Sequence, residues 1–279
     1  MRPTEDRTTQ TDASIISMNE TVNQGAEDIQ RFVAPSLGTV LVVVSSLIAD
    51  GDELESLLRS MSQDEWARYQ RFLPIDVQRR FGVCRGRLRH VLGSMLNVDP
   101  AKVQFEYNST GKPRLATSHR STLEFNVSHS GDWALFGFGQ SSPVGVDTEL
   151  FQRRTNFEAL APQVLNANER AKLEMLPPAD RNLAIMRAWV AKEALLKAIG
   201  IGIGSGLASV EFPMPLPAVC TPLKIDAWLL EKLDDDASCR MNSWIDAGTW
   251  RVHQLEALPD GFSAVACAAN IKTIVAAKY

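Results

Sequence analysis

Val144-Gly145-Val146-Asp147-Thr148-Glu149 is an apolar run that ends in two carboxylates spaced by one residue. In a strand, side chains at i and i+2 share a face, so Asp147 and Glu149 point the same way. Carboxylates that close repel unless a proton or a cation compensates them, and a divalent metal is the natural compensation. Downstream, Trp189-Val190-Ala191-Lys192-Glu193-Ala194-Leu195-Leu196-Lys197-Ala198-Ile199-Gly200 reads as a helix stopped by a glycine. Glu193 and Lys197 lie one turn apart on one of its faces. Taken singly, each motif has an ordinary reading: a solvated strand end, and a surface ion pair worth a few tenths of a kcal/mol. Their weight comes from combination with two upstream stretches in fixed order, Gly111-Lys112-Pro113 and Phe125-Asn126-Val127-Ser128-His129-Ser130.

A chain of 279 residues accommodates one large or two modest domains. Its net charge of -4 and pI near 5.7 argue against a general nucleic-acid binder, so any anion site must be local. Cys84, Cys220, Cys239 and Cys267 are far apart with no Cys-x-x-Cys pair, which argues against a structural zinc site or a dense disulfide framework. Reduced thiols in a cytoplasmic protein are the expectation. No apolar run approaches a membrane span and no secretory pattern opens the chain. Residues 1–35, rich in Thr, Asn, Gln, Asp and Glu, read as a disordered tail.

Folded structure is expected from the β-branched run Thr39-Val40-Leu41-Val42-Val43-Val44, followed by a helix over Asp52 to Arg59. Ser62-Gln63-Asp64-Glu65 fits a capping box that starts a second helix, ended by Pro74. From Asp76 to Leu96, apolar residues recur at three and four, predicting a long amphipathic helix. Arg85 and Arg89 share one edge of its stripe and Arg80 and Arg87 the other; about half of these are expected to snorkel over the core and the remainder to offer an anion site. Strands are expected at Lys102–Tyr107, Leu123–Val127 and Trp133–Phe138, then at the carboxylate run. His129 alone is more often a satisfied structural histidine, yet with Ser128, Ser130 and Gly131 it sits in a donor-rich corner able to hold a phosphate. A polar helix around Asn166 to Leu176 precedes Pro177-Pro178 and the Arg187-to-Gly200 helix. Gly200, Gly202, Gly204 and Gly206 lack the Walker lysine and hydroxyl, so a flexible loop is expected there and not a P-loop. Four further strands are expected, at Ala208–Phe212, Ile225–Leu229, Thr249–Leu255 and Ser263–Ala269, with Pro259-Asp260-Gly261 as a hairpin turn.

With these stretches assembled, the chain resembles the 4'-phosphopantetheinyl transferase superfamily, and within it the larger surfactin-synthetase-activating type. The resemblance rests on Gly111-Lys112-Pro113, Phe125-Asn126-Val127-Ser128-His129-Ser130, Gly145-Val146-Asp147-Thr148-Glu149 and Trp189-x-x-Lys192-Glu193-Ala194-x-x-Lys197-Ala198-x-Gly200, and covers about Thr39 to Ala269. One departure is Val190, where the family often has a small polar residue. The resemblance implies a pseudo-dimeric α/β (α+β) fold of two similar halves, residues 36–143 and 144–279, with the active site between them. It implies transfer of the phosphopantetheine arm of coenzyme A to a serine of an apo acyl or peptidyl carrier protein, releasing adenosine 3',5'-bisphosphate, with Mg²⁺ as cofactor and the protein acting as a monomer. Polyketide, nonribosomal peptide and fatty acid synthesis all use such carriers. By the same resemblance, Asp147, Glu149 and Glu193 match the metal-binding carboxylates. Arg68, Gly111, Lys112, Pro113, Asn126, Ser128 and His129, together with Asp147, Glu193 and Lys197, match positions that bind coenzyme A, and Glu193, Lys197 and His129 match catalytic ones.

The chemistry agrees with those residue types on its own terms. Displacement at a pyrophosphate phosphorus needs charge neutralised on both sides and an in-line nucleophile. Hard carboxylate oxygens suit Mg²⁺, Lys197 can stabilise the departing phosphate, and Glu193 can serve as ligand or as general base. A metal-dependent pyrophosphatase acting on coenzyme A or a nucleotide, and a non-catalytic coenzyme A or carrier-binding module, are the alternatives; a requirement for apo-carrier separates the first of them.

Overall fold

Alternation along one β-branched strand sets up the layering. In the computed structural model, which describes residues 32–108, 111–151, 156–201, 206–226, 249–258 and 260–279, β1 (Thr39–Ser46) buries both faces. Val40, Val42 and Val44 face one core and Val43 another, as expected of a central strand with apolar residues at every position. Beside it run β5 (Trp133–Gln140) and then β4 (Leu123–Ser130), antiparallel, while β12 (Thr273–Lys278) pairs with its other edge in parallel. A second four-stranded sheet has the order β6 (Val144–Leu150), β11 (Gly261–Ala268), β10 (Trp250–Leu255), β8 (Val219–Cys220). Two short ladders, β2 (Phe105–Tyr107) with β3 (Pro113–Leu115) and β7 (Val210–Glu211) with β9 (Lys224–Ile225), complete the described strands.

Each sheet is covered by one long helix. α1 (Gly51–Arg59), α2 (Gln63–Gln70) and α3 (Ile75–Leu96) belong to the first half, and Val83, Leu88, Val91 and Leu92 of α3 pack on Phe125, Phe136 and Phe138 of the first sheet. After α4 (Ala161–Val164) and α5 (Ala167–Glu174), α6 (Pro178–Ile199) packs Val190, Ala194 and Ala198 on Trp250, Val252, Ala264 and Ala266 of the second. Between the sheets, Val40, Val42 and Leu135 meet Val144, Val146 and Val265. The order is helix, sheet, sheet, helix, a mixed α/β fold of two halves whose sheets come closest along β4 and β6. Polar side chains stitch that seam: Val146 N donates to Asn126 Oδ1 (2.9 Å) and Leu150 N to Ser130 Oγ (3.1 Å).

Several expectations shift at their edges. α6 begins at Pro178, well before Arg187, because a proline in the first helical turn has no intrahelical partner to lose for its missing N–H and its φ suits a helix start. It ends as expected at Gly200, φ 89°. Strands β3, β8 and β12 were not expected from the pattern, and the run from Lys102 opens with a 3-10 turn before β2. Arg87 and Arg89 are not snorkelling edges. Both are buried, Arg87 bonded to Glu53 Oε1 (2.6 Å) and Ser46 O (2.5 Å), and Arg89 to Glu65 Oε2 (2.6 Å) and the Pro100 and Val103 carbonyls. Phe32 and Pro35, assigned to the tail on composition, are buried. Phe32 stacks on Tyr279 at 6.0 Å and its carbonyl accepts from Ser94 Oγ at 2.9 Å. Residues 1–31, the loop glycines Gly202 and Gly204, Pro259 of the hairpin turn, and Cys239 lie outside the described residues; Cys84, Cys220 and Cys267 are free thiols. Among the described residues no helix is long and apolar enough to cross a membrane.

α6 lies so close to β6 that a Cβ on Gly145 would fall far inside contact with the Ala194 carbonyl and the Ala198 backbone. Only a residue without Cβ permits that approach. Gly145→Ala is expected to destabilise the protein by about 1–3 kcal/mol or more, the scale of overpacking a tight contact. Urea denaturation measures it, and a loss below about 0.5 kcal/mol, the ordinary surface-substitution range, counts against this account of the packing.

Candidate active site

Because Gly145 faces α6, Asp147 and Glu149, two and four residues on, face the same way. α6 presents Glu193 and Lys197 one turn apart toward them. Lys197 Nζ lies 2.5 Å from Asp147 Oδ1, 3.6 Å from Glu193 Oε2 and 3.1 Å from Ser128 Oγ. From β4, Ser128 Oγ donates to Asp147 Oδ1 (2.7 Å) and Ser130 Oγ to Glu149 Oε2 (2.8 Å). Trp189 Nε1 donates a short hydrogen bond to Glu193 Oε1. Asp147 Oδ2 is buried with no partner. Three carboxylates and one ammonium thus meet at the seam of the two halves.

The electrostatics follow from that imbalance. Burial, then the Asp147 charge, pushes the Glu193 carboxyl up to about 7, and burial chiefly raises that of Glu149. His129 is held below the usual imidazole range by burial first and then by the Lys197 ammonium, with Arg68 adding to the effect.

The structure divides the expected binding residues into two groups. Arg68, Gly111, Pro113 and His129 line a cavity of about 510 Å³ on the α3 side of the first sheet, with Arg80 and Arg85. Ser128, Asp147, Glu149, Glu193 and Lys197 form the seam cluster. The corner expected at Ser128-His129-Ser130 is therefore split, because neighbouring strand residues alternate: the two serines turn to the carboxylates and His129 to the cavity. Asn126 is occupied as a seam stitch. Lys112 Nζ donates to the Lys197 carbonyl (2.6 Å) near the C-terminal end of α6, and burial depresses its ammonium to about 8. Asp147, Glu149 and Glu193 share their space with Lys197, and among the described residues no three His, Cys, Asp or Glu side chains stand close enough together to form a ready-made metal centre. Ser130 and Trp189 stood in the sequence motifs without the roles they take here, Ser130 as donor to Glu149 and Trp189 as donor to Glu193. Period two from Ser128 and the i, i+4 spacing to Glu193 were the signals that could have found them.

The carboxylate–ammonium cluster thus lies at the seam of the two halves, and the arginine-lined cavity belongs to the first half. Residues 143–238 match the family model described as the 4'-phosphopantetheinyl transferase superfamily, and residues 49–138 match that of the 4'-phosphopantetheinyl transferase N-terminal region. The chain is 36% identical over 188 residues to 4'-phosphopantetheinyl transferase HetI of Nostoc sp., covering 67% of this chain and 79% of that one. It is 29% identical over 195 residues to a phosphopantetheinyl transferase of Thraustochytrium sp., covering 63% and 67%, and 30% identical over 157 residues to 4'-phosphopantetheinyl transferase psf-1 of Bacillus pumilus, covering 56% and 65%. The chain belongs to the 4'-phosphopantetheinyl transferase superfamily.

Glu193 carries a stability consequence. Its folded-state pKa lies above the unfolded value, so the folded protein binds the extra proton between about 4.5 and about 7; the favourable contribution is complete below that window and is lost as pH rises through it. In EDTA, Glu193→Gln, which is neutral throughout, is expected to melt near wild type at pH 5 and several degrees above it at pH 8. Equal melting differences at the two pH values would show that the carboxyl does not titrate in this way.

Proposed function

We propose that the chain transfers the 4'-phosphopantetheine arm of coenzyme A to a serine of an apo acyl or peptidyl carrier protein, in a Mg²⁺-dependent reaction that releases adenosine 3',5'-bisphosphate. The observation that carries this reading is the charge imbalance at the seam, three carboxylates against one ammonium, directly beside a cavity whose arginines suit a phosphorylated nucleotide. Asp147, Glu149 and Glu193 would hold the metal. Their hard oxygens suit Mg²⁺, Asp147 Oδ2 is buried and unpartnered, and the Glu149 and Glu193 carboxyls are raised by burial first, with the Asp147 charge adding to it. When bound, Mg²⁺ neutralises pyrophosphate oxygens.

The chain's own residues supply the rest. Lys197 is held by Asp147 and Ser128 at the seam, where its ammonium can stabilise the oxygen that leaves with the nucleotide. Glu193, poised near neutrality and oriented by the Trp189 indole, takes the proton of the carrier serine as the serine oxygen bonds to the phosphorus and the pyrophosphate bridge breaks. His129 lies between cavity and cluster, at the boundary where the pyrophosphate passes from one to the other.

The larger, surfactin-synthetase-activating type is the reading favoured by two successive family matches, one in each half. Both sides of the seam come from one chain, which supports action as a monomer. The free thiols among the described residues accord with a cytoplasmic protein.

The test is intact-mass analysis of several apo-carriers incubated with coenzyme A and Mg²⁺. A mass gain of one phosphopantetheine is expected; coenzyme A hydrolysis without carrier modification would establish a pyrophosphatase instead. Glu193→Gln is expected to weaken Mg²⁺-dependent coenzyme A binding and to slow single-turnover transfer roughly 10²-fold or more, the scale of general-base and electrostatic groups. Near-normal transfer by that variant removes Glu193 from the mechanism.

A further inference from the structure

Each of the three seam carboxylates has one oxygen taken by a donor of the protein. Asp147 Oδ1 accepts from Ser128 Oγ (2.7 Å) and Lys197 Nζ (2.5 Å), Glu193 Oε1 from the Trp189 indole, and Glu149 Oε2 from Ser130 Oγ (2.8 Å). Among the described residues the other oxygen of each receives no hydrogen bond: Asp147 Oδ2 is buried and unpartnered, and Glu193 Oε2 has only the Lys197 ammonium, 3.6 Å away. Ser130 stands apart from the other donors. Ser128 and Lys197 match coenzyme A-binding positions and Trp189 lies on the same helix as its acceptor, whereas Ser130 reaches Glu149 from the other half and has no ligand of its own. A hydroxyl carries a single proton. Leu150 N donates to Ser130 Oγ (3.1 Å), which leaves that proton for Glu149 Oε2. The hydroxyl is thus fixed between the carboxylate and the next amide of β6, and Ser130, 8% exposed, is shielded from competing water.

An oxygen that already accepts a charge-assisted hydrogen bond has less to give a metal, so Glu149 keeps one oxygen to offer. Ca²⁺ takes about six to eight oxygens at roughly 2.3–2.6 Å and readily binds a carboxylate through both of its own. Mg²⁺ demands a near-octahedral shell at about 2.0–2.1 Å, keeps several waters and is held through one or two carboxylates. Carboxylates with a single free oxygen suit the smaller ion. A carboxylate free to turn both oxygens to the metal suits the larger one.

We propose that Ser130 confines Glu149 to a one-oxygen contact and thereby makes the seam select a small octahedral cation such as Mg²⁺ over Ca²⁺. This rests on the metal reading of Asp147, Glu149 and Glu193. Ser130 is a positioning residue, since it holds the ligand and not the ion. Without its hydroxyl, Glu149 loses the orientation that suits Mg²⁺ and gains the freedom to chelate.

The experiment is Mn²⁺ binding by the full chain with coenzyme A present, read from the electron paramagnetic resonance signal of free Mn²⁺ and corrected for Mn²⁺ held by coenzyme A alone. Mg²⁺ and Ca²⁺ are then titrated in to displace the bound Mn²⁺, which gives the affinity for each. Wild type is expected to prefer Mg²⁺ to Ca²⁺ by about tenfold or more. Ser130→Ala is expected to lose about tenfold in affinity for Mn²⁺ and Mg²⁺, the lower end of the effect of removing a group that orients a metal ligand. Its Ca²⁺ affinity is expected to change by no more than about threefold. A wild-type ratio near one overturns the proposal, as does a Ser130→Ala ratio equal to wild type, whether every ion loses alike or none does; equal loss is what a merely loosened seam gives. If Ser130→Ala does not fold, Ser130→Cys keeps a side chain of similar shape with only a weak donor. Its ratio is expected to fall severalfold, and an unchanged ratio overturns the proposal. Carrier modification by the wild-type protein tests the transfer reading separately. Modification together with an unchanged Ser130→Ala ratio sinks only the role of Ser130, and selective Mg²⁺ binding without modification sinks only the transfer reading.

Discussion

The contact of the Ala194 carbonyl and the Ala198 backbone with Gly145 is the constraint on which the site depends. It sets the distance between α6 and β6 to that of two backbones with no side chain between them. At that distance Lys197, paired within α6 with Glu193, reaches across to Asp147 and Ser128 directly. A helix standing further off would leave Asp147 and Glu149 without an ammonium neighbour. The second sheet depends on the same contact, since the small residues Ala264 and Ala266 neighbour Asp147 and Gly145 in register and keep its helix-facing surface low.

Charge at the seam is arranged for chemistry at a cost in stability. Burial first, with the Asp147 charge adding to it, raises the pKa of both Glu149 and Glu193, an indication that the folded chain holds these ionised carboxyls unfavourably. The opposite arrangement holds a short distance along the chain. Lys192, next to Glu193, points to the other side of α6, where its ammonium bonds Glu169 Oε2 (2.6 Å) and the Val164 carbonyl (2.7 Å). Glu169 also accepts from Phe212 N (2.9 Å) and Asn166 N (2.9 Å), so that buried pair is satisfied on both sides. Neighbouring residues of one helix thus face a completed ion pair and an incomplete one, and the incomplete one is where substrate chemistry is proposed.

Local signals made much of this legible. β-branched runs gave β1 and the central strands, the capping box gave the start of α2 through Glu65 bonding Ser62 N, and Asp147 and Glu149 sharing a face followed from strand periodicity alone. What stayed hidden was decided by partners distant in sequence. Arg87 and Arg89 read as edges because nothing local reveals that Glu53 will meet the first and that Glu65 will be buried against the second. For Asn126 and Lys112, no local pattern shows that they engage Val146 N and the Lys197 carbonyl across the seam. Phe32 read as tail because its packing partner, Tyr279, lies at the opposite end of the chain. The split of Ser128 from His129 was available from period two but was masked by reading the three residues as one corner.

The parallel pairing of β12 with β1 couples distant parts of the polypeptide in time as well as in space. During synthesis the first sheet has β1, β5 and β4 in hand long before β12 emerges, so one edge of β1 stays unpaired until the strands of the second sheet have been made as well. Loop-closure entropy makes such a distant pairing slow, and an unpaired strand edge is open to other chains while it waits. The half of the molecule that is made first is therefore completed only after the other half has emerged.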